Sequence, residues 1–192
     1  MAKKYEFQPD RPYASWLNKL QLTPQQQKQV LKWFLYALVL IILSIAQDVV
    51  LSRFRLYGGT SDLVPCGIFI ICIMEGAQRG CAFALVAAAM YLLAGFAPGP
   101  HVLVLITVLG VVTAALRQTY LRQGFVATLL CTALAMIAYE MAIFAFCLLL
   151  KYVTADRAMS FWVSAITSLA CVPFVYPLAK VIGRIGGETW KE

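Results

Sequence analysis

Long apolar runs separated by short polar turns make up most of the chain after its first 33 residues. A helix of roughly 20 apolar residues matches the hydrocarbon core of a bilayer. The pattern therefore predicts an all-α polytopic membrane protein with a bundle of six transmembrane helices in residues 34–183. A short cytoplasmic or interfacial N-terminal arm precedes the bundle at 1–33, and a cytoplasmic tail follows it at 184–192. The six predicted spans are 34–51, 63–76, 80–96, 101–116, 125–150 and 161–182.

The second predicted span is the shortest, because its unbroken apolar core runs only from residue 63 to 74 and contains Pro65. A re-entrant segment is the alternative to a full crossing. Charge distribution favours the crossing, since Lys and Arg concentrate in cytoplasmic loops. Six spans with both termini inside place twelve of the sixteen Lys and Arg residues on the cytoplasmic side, whereas five spans divide them equally.

Composition agrees with a membrane location, because 61% of the residues are hydrophobic and 13% charged, with a mean hydropathy of +0.77. This leaves too little polar surface for a globule in water. The net charge of +7 comes from basic residues beside the membrane ends, which predicts lipid contact and no nucleic-acid binding. The six cysteines lie inside the spans without CxxC spacing, so we expect apolar packing residues.

Ionisable groups at membrane depth are costly unless they are paired or hydrated, which singles out three carboxylates. Glu140 lies near the middle of the fifth span, whereas Asp48 and Glu75 lie near span ends, where interfacial positions are expected. Glu140 fits either a proton or cation carrier or a hydrogen-bonded structural acid, and we favour the structural role. His101, the only histidine, has no ligand-like neighbours in the sequence, so we expect no metal, cofactor or catalytic activity.

Two spans carry signs of their packing. Small residues at Gly80, Ala84 and Ala88 predict a face of the third span against which another helix packs closely. Pro173 and Pro177 predict a bend in the sixth span, because proline removes a helical hydrogen bond.

The middle of the chain resembles the MreD family of bacterial rod-shape-determining membrane proteins. The likeness covers about two-fifths of the chain, and helices five and six agree in hydropathy and in the acid Glu140. The residues that carry it are Gln47 near the end of the first span, Asp62-Leu63 at the start of the second, the turn Glu75-Gly76-Ala77-Gln78-Arg79-Gly80, Ala94-Gly95, the hairpin Ala97-Pro98-Gly99-Pro100-His101, Gly110 and Arg117.

The chain departs from the family at a few positions. Tyr91 stands where members often have an acidic residue, and Ala84 and Ala88 stand where they often have glycine. The polar N-terminal arm is also unusually long. Tyr91 therefore cannot take any role that the family gives to an acid at this position. Alanine at positions 84 and 88 still keeps the side chains on this face of the third span small.

The resemblance implies a non-enzymatic scaffold of the cell-elongation machinery in the bacterial cytoplasmic membrane, which helps position peptidoglycan synthesis to maintain cell shape. Its direct partner is expected to be an MreC-like single-span membrane protein. Through it the scaffold joins MreB-like filaments to the RodA glycosyltransferase and its penicillin-binding transpeptidase.

Two other classes remain open from the sequence. The substrate-binding S component of an energy-coupling-factor vitamin transporter has a similar size and topology, and Tyr57, His101, Tyr152 and Trp162 offer some groups for a ligand pocket. A proton-coupled carrier centred on Glu140 is the third class.

Overall fold

A computed structural model describes residues 24–49, 61–95, 97–120 and 124–185. All regular elements in these ranges are helices, so the predicted all-α class is confirmed for the described residues. A short 3-10 turn, Ala155–Arg157, precedes the sixth α-helix. The α-helices are α1 (Pro24–Val49), α2 (Leu63–Glu75), α3 (Ala77–Leu93), α4 (His101–Tyr120), α5 (Phe125–Leu149), α6 (Ala158–Leu169) and α7 (Val172–Ile185).

Three of these helices, α1, α4 and α5, are long and apolar enough to cross a membrane. The segments Ala155–Leu169 and Val172–Ile185 meet at a bend of 44° and pass the same test as a pair, which gives up to four crossings by length and composition. The apolar helices α2 and α3 are shorter, at about 20 and 26 Å for 1.5 Å per residue. The chain therefore has the features of a helical membrane protein.

Helix bounds differ from the predicted spans at both ends of the bundle. The first helix begins at Pro24, ten residues before the first predicted span. Proline is favoured at the first helical position, because the N–H that it lacks would have no partner there within the helix. The last predicted span is divided into α6 and α7 around Ala170 and Cys171. The break comes just before Pro173, as expected for a residue that starts a helix more easily than it continues one.

Helix α2 occupies the centre of the bundle and contacts all six other α-helices. Twelve of its thirteen residues are buried, and only Met74 is partly exposed. A helix that is apolar on every side buries its whole surface against protein. The outer helices instead carry large exposed apolar side chains, such as Leu93, Leu149 and Phe174, and such surface is stable in lipid.

The small residues of α3 lie where this helix turns back against α2. A single residue, Gly76, joins the two helices with a φ of 86°, which a side chain would oppose. At Gly80, a Cβ atom would lie 3.0 Å from both the Cα and the carbonyl oxygen of Cys72 on α2. Ala84 and Ala88 are fully buried on the same face. The central packing therefore depends on residues without bulk.

We expect Gly80→Val to lower the thermal stability of the detergent-solubilised protein, with a loss of about 2 kcal/mol from overpacking against the Cys72 backbone. The matched control is Ala82→Val on the exposed side of the same helix, which adds the same β-branched side chain without a clash. Equal melting temperatures for the two variants contradict the close approach of α3 and α2.

Candidate functional site

Three of the predicted residues, Gln47, Asp62 and Glu140, come together at the end of the bundle where α2 begins. They meet polar side chains from α3, α5 and α6, and the group draws on five helices in total. We call this group the carboxylate cluster. Its members are Gln47, Asp62, Tyr91, Tyr139, Glu140, Ser164 and Ser168.

Gln47 fixes the start of α2 to the end of α1. Its Oε1 accepts a hydrogen bond from the Val64 backbone N–H at 3.1 Å, and its Nε2 donates to Asp62 Oδ1 at 3.5 Å. The first N–H groups of a helix have no partner within the helix, and lipid offers none. Asp62 occupies the N-cap position without a capping side-chain bond, so the Gln47 amide performs that role.

Helix α6 approaches the same end of α2 through two serines one turn apart. The Asp62 N–H donates to Ser168 Oγ at 2.7 Å, and the Ser168 hydroxyl donates to the Ser164 carbonyl at 2.7 Å. The Ser164 hydroxyl donates to Glu140 Oε1, also at 2.7 Å. Glu140 is 4% exposed. A continuous path of polar contacts thus joins α2, α6 and α5.

The cluster brings two carboxylates, Asp62 and Glu140, near each other. Asp62 lies close enough to Glu140, Tyr91 and Tyr139 to act on each of them electrostatically. No Lys or Arg in the described part of the chain forms an ion pair with either carboxylate. Because two neighbouring charges in a medium of low dielectric constant repel strongly, ionisation of both carboxylates at once is unfavourable.

Tyr139 adds a polar group that the sequence did not mark as functional. Its side chain is fully buried and lies beside that of Tyr91 on α3. The ring packs edge-on against Phe69 of α2, with centroids 6.2 Å apart. Little in the sequence singled out Tyr139, because a tyrosine in an apolar helix is commonly a packing residue. The two serines of α6 could have been recognised more easily, since Ser164 and Ser168 share one helical face in an apolar segment.

A second polar group lies at the opposite end of α2. Lys32 Nζ of α1 is 2.6 Å from Glu75 Oε1, and the Tyr36 hydroxyl donates to the same oxygen at 2.7 Å. The Lys32 and Glu75 side chains are only 4% and 2% exposed. Glu75 is the last residue of α2, and Lys32 supplies the opposite charge that its burial requires. Arg117 of α4 lies nearby and donates to the Ile73 carbonyl.

The remaining predicted residues lie outside both polar groups. Asp48 is exposed at the end of α1, and Gly95 follows α3 with a φ of 78° in open space. His101 begins α4 and stacks on Phe146 at 4.7 Å between ring centroids. Gly80, Ala84 and Ala88 serve the packing of α3. Within the described residues, no three His, Cys, Asp or Glu side chains are arranged to hold a metal ion.

No family model, curated protein or solved structure matches this chain.

We expect Glu140→Ala to destabilise the protein by about 1–3 kcal/mol, because the buried Ser164 hydroxyl loses its acceptor. Glu140→Gln keeps an acceptor oxygen and removes the repulsion from Asp62, so it should match or exceed the wild-type melting temperature. Thermal unfolding in one detergent measures both variants. A Glu140→Gln variant as unstable as Glu140→Ala contradicts the repulsion between Glu140 and Asp62.

We expect Lys32→Met to cost about 3 kcal/mol, since it leaves the Glu75 carboxylate buried without its cation. Adding Glu75→Gln should recover much of that loss, because the double variant buries no charge. Lys28→Met, at an exposed position one turn earlier on α1, is the matched control and should be neutral. Additive losses in the double variant rule out the coupling of Lys32 with Glu75.

Proposed function

We propose that this chain is a non-enzymatic MreD-like scaffold that binds an MreC-like single-span protein in the bacterial cytoplasmic membrane. The observation that carries the proposal is the position of the residues behind the resemblance. Gln47, Asp62, Gly80 and Arg117 make the contacts that hold α2 at both of its ends and along α3. Their place in the architecture explains why a family of scaffolds would share them.

In this proposal α2 and α3 also cross the membrane, which gives six crossings with both termini in the cytoplasm. The distribution of Lys and Arg supports that orientation. The contacts fit two helices that cross in opposite directions, since the first half of α1 meets the last turn of α2 through Lys32 and Glu75. The end of α1 meets the start of α2 through Gln47 and Val64.

Glu140 has a structural role in this proposal. Its contact with Ser164 holds α5 to α6, and Ser168 continues the path to the start of α2. Such a network keeps the helices in one register and so presents a constant surface to a partner. MreB-like filaments, the RodA glycosyltransferase and the penicillin-binding transpeptidase would be reached through the single-span partner.

The structure tests the vitamin-transporter alternative only beside Trp162, since Tyr57, another residue expected in its pocket, lies outside the described residues. The space that borders Glu140 beside Phe161 and Trp162 measures about 140 Å³ in total and is too narrow to admit a water molecule. Ligand pockets for small molecules usually measure about 300–1,000 Å³. Trp162 therefore does not open a binding chamber beside Glu140.

We expect affinity purification of the tagged full chain from its native membrane to recover an MreC-like single-span protein, together with wall-synthesis enzymes. Mass spectrometry identifies both the proteins and any retained small molecule. Recovery of paired ATPases with a bound vitamin, or stabilisation of the purified chain by a vitamin, overturns the scaffold proposal in favour of the transporter.

A further inference from the structure

One end of the bundle carries most of the positive charge of the described residues. Helices α1, α3 and α5 begin at this end, and α2, α4 and α7 end there. Glu75 is the one acidic residue that the described part of the chain places at this end, and Lys32 neutralises it. The cations at this end are Lys28, Lys32, Arg79, Arg117, Lys180 and Arg184.

Tyr176 of α7 lies at the centre of a group of side chains at this end. Its ring packs edge-on against Phe125 at the start of α5, with ring centroids 5.2 Å apart. Lys180, one turn further along α7, places its Nζ 5.9 Å from the centroid of the Tyr176 ring. Arg117 of α4 lies close enough to the Tyr176 side chain to interact with it electrostatically. Three helices thus bring two cations and a hydroxyl to one corner of the bundle.

The outer groups of this corner are accessible to an anion. Lys180 and Arg184, one turn apart on α7, are exposed and form no ion pair within the described residues. Tyr176 is partly exposed, and its hydroxyl forms no hydrogen bond within those residues either. Arg117 is only 5% exposed and donates to the Ile73 carbonyl, which fixes its charge on the inner side. We call Arg117, Tyr176, Lys180 and Arg184 the basic corner.

The surroundings of the basic corner indicate which anion it meets. Phe174, Leu178 and Val181 on α7 are between 52% and 74% exposed, and such apolar side chains contact acyl chains in a membrane. Cations that follow them at the end of a helix reach the depth of the lipid headgroups. The phosphate is the anion at that depth. A headgroup with a net negative charge is favoured over a zwitterionic one, because the latter adds its own cation to a positive site.

We propose that the basic corner binds the phosphate of an anionic phospholipid such as phosphatidylglycerol. Lys180 and Arg184 contact the phosphate oxygens, the Tyr176 hydroxyl donates a hydrogen bond to one of them, and the buried Arg117 adds positive potential. The inference goes beyond the scaffold function and does not depend on it, since binding requires only that this end of the bundle reaches the headgroups. A lipid held there stabilises the corner at which α4, α5 and α7 meet.

A variant without any change of charge gives the sharpest test. Native mass spectrometry of the full chain in detergent measures its affinity for phosphatidylglycerol and for phosphatidylcholine with the same acyl chains. We expect Tyr176→Phe to keep the ring but lower the affinity for phosphatidylglycerol about tenfold, because a hydrogen bond to a charged group is lost. Tyr152→Phe, at an exposed position after the end of α5, is the matched control and should bind as the wild type does.

Two double variants of equal net charge give a second, independent measurement. Lys180→Gln with Arg184→Gln removes both exposed cations of the basic corner and should lower the affinity for phosphatidylglycerol at least about tenfold. Lys28→Gln with Arg79→Gln removes two exposed cations at the same end of the bundle but on α1 and α3, and should leave the affinity nearly unchanged. Melting temperatures of the lipid-free variants establish that each one is folded.

The outcomes separate a lipid site from general attraction between charges. Equal losses in the two double variants, or wild-type affinity in Tyr176→Phe, show that net charge alone attracts the lipid and overturn the proposal. Equal affinities of the wild-type chain for phosphatidylglycerol and phosphatidylcholine also overturn it. If inorganic phosphate raises the melting temperature as much as phosphatidylglycerol does, the basic corner recognises free phosphate and the lipid proposal is wrong. Recovery of the single-span partner tests the scaffold function separately.

Discussion

The burial of α2 is the constraint on which the rest of the structure depends. This helix has no polar face, so its stability in a bundle comes from complete enclosure by the other helices. Its backbone ends also need partners, because lipid supplies no hydrogen bonds. Gln47 and Ser168 provide them at the first turn, and Arg117 provides one at the last. The polar residues of the neighbouring helices therefore lie mainly at the two ends of α2.

The two ends of α2 meet this constraint with different electrostatics. At the last turn, Glu75 is neutralised by Lys32 in a buried ion pair. At the first turn, Asp62 and Glu140 lie close enough to repel each other, and neither forms an ion pair within the described residues. One end of α2 is thus held by a buried ion pair, whereas the other brings two carboxylates together without an ion pair in the described residues. Tyr91 connects the end that holds the carboxylates with an apolar groove between α1 and α3.

The enclosure of α2 also explains why a groove exists at all. Six helices surround a short central one, and α1 and α3 are joined by the contact between Trp33 and Phe83 near one end. Small residues on α3 let it approach α2 closely at Gly80, which leaves its larger side chains to form a wall with those of α1. The close packing of α3 on α2 thus also shapes an apolar groove on the outside of the bundle, between α1 and α3.

The sequence by itself determined the helical class, the membrane setting and several of the residues that matter, because apolar run length and the cost of buried charge are local properties. It identified Gln47, Asp62 and Glu140 individually, and it placed the small face of α3 correctly. It did not pair Lys32 with Glu75, join Ser164 to Glu140, or divide the last span at Cys171, since each depends on which helices become neighbours. The groove was likewise decided only by tertiary structure, because it is the space left between two helices that both pack against a third.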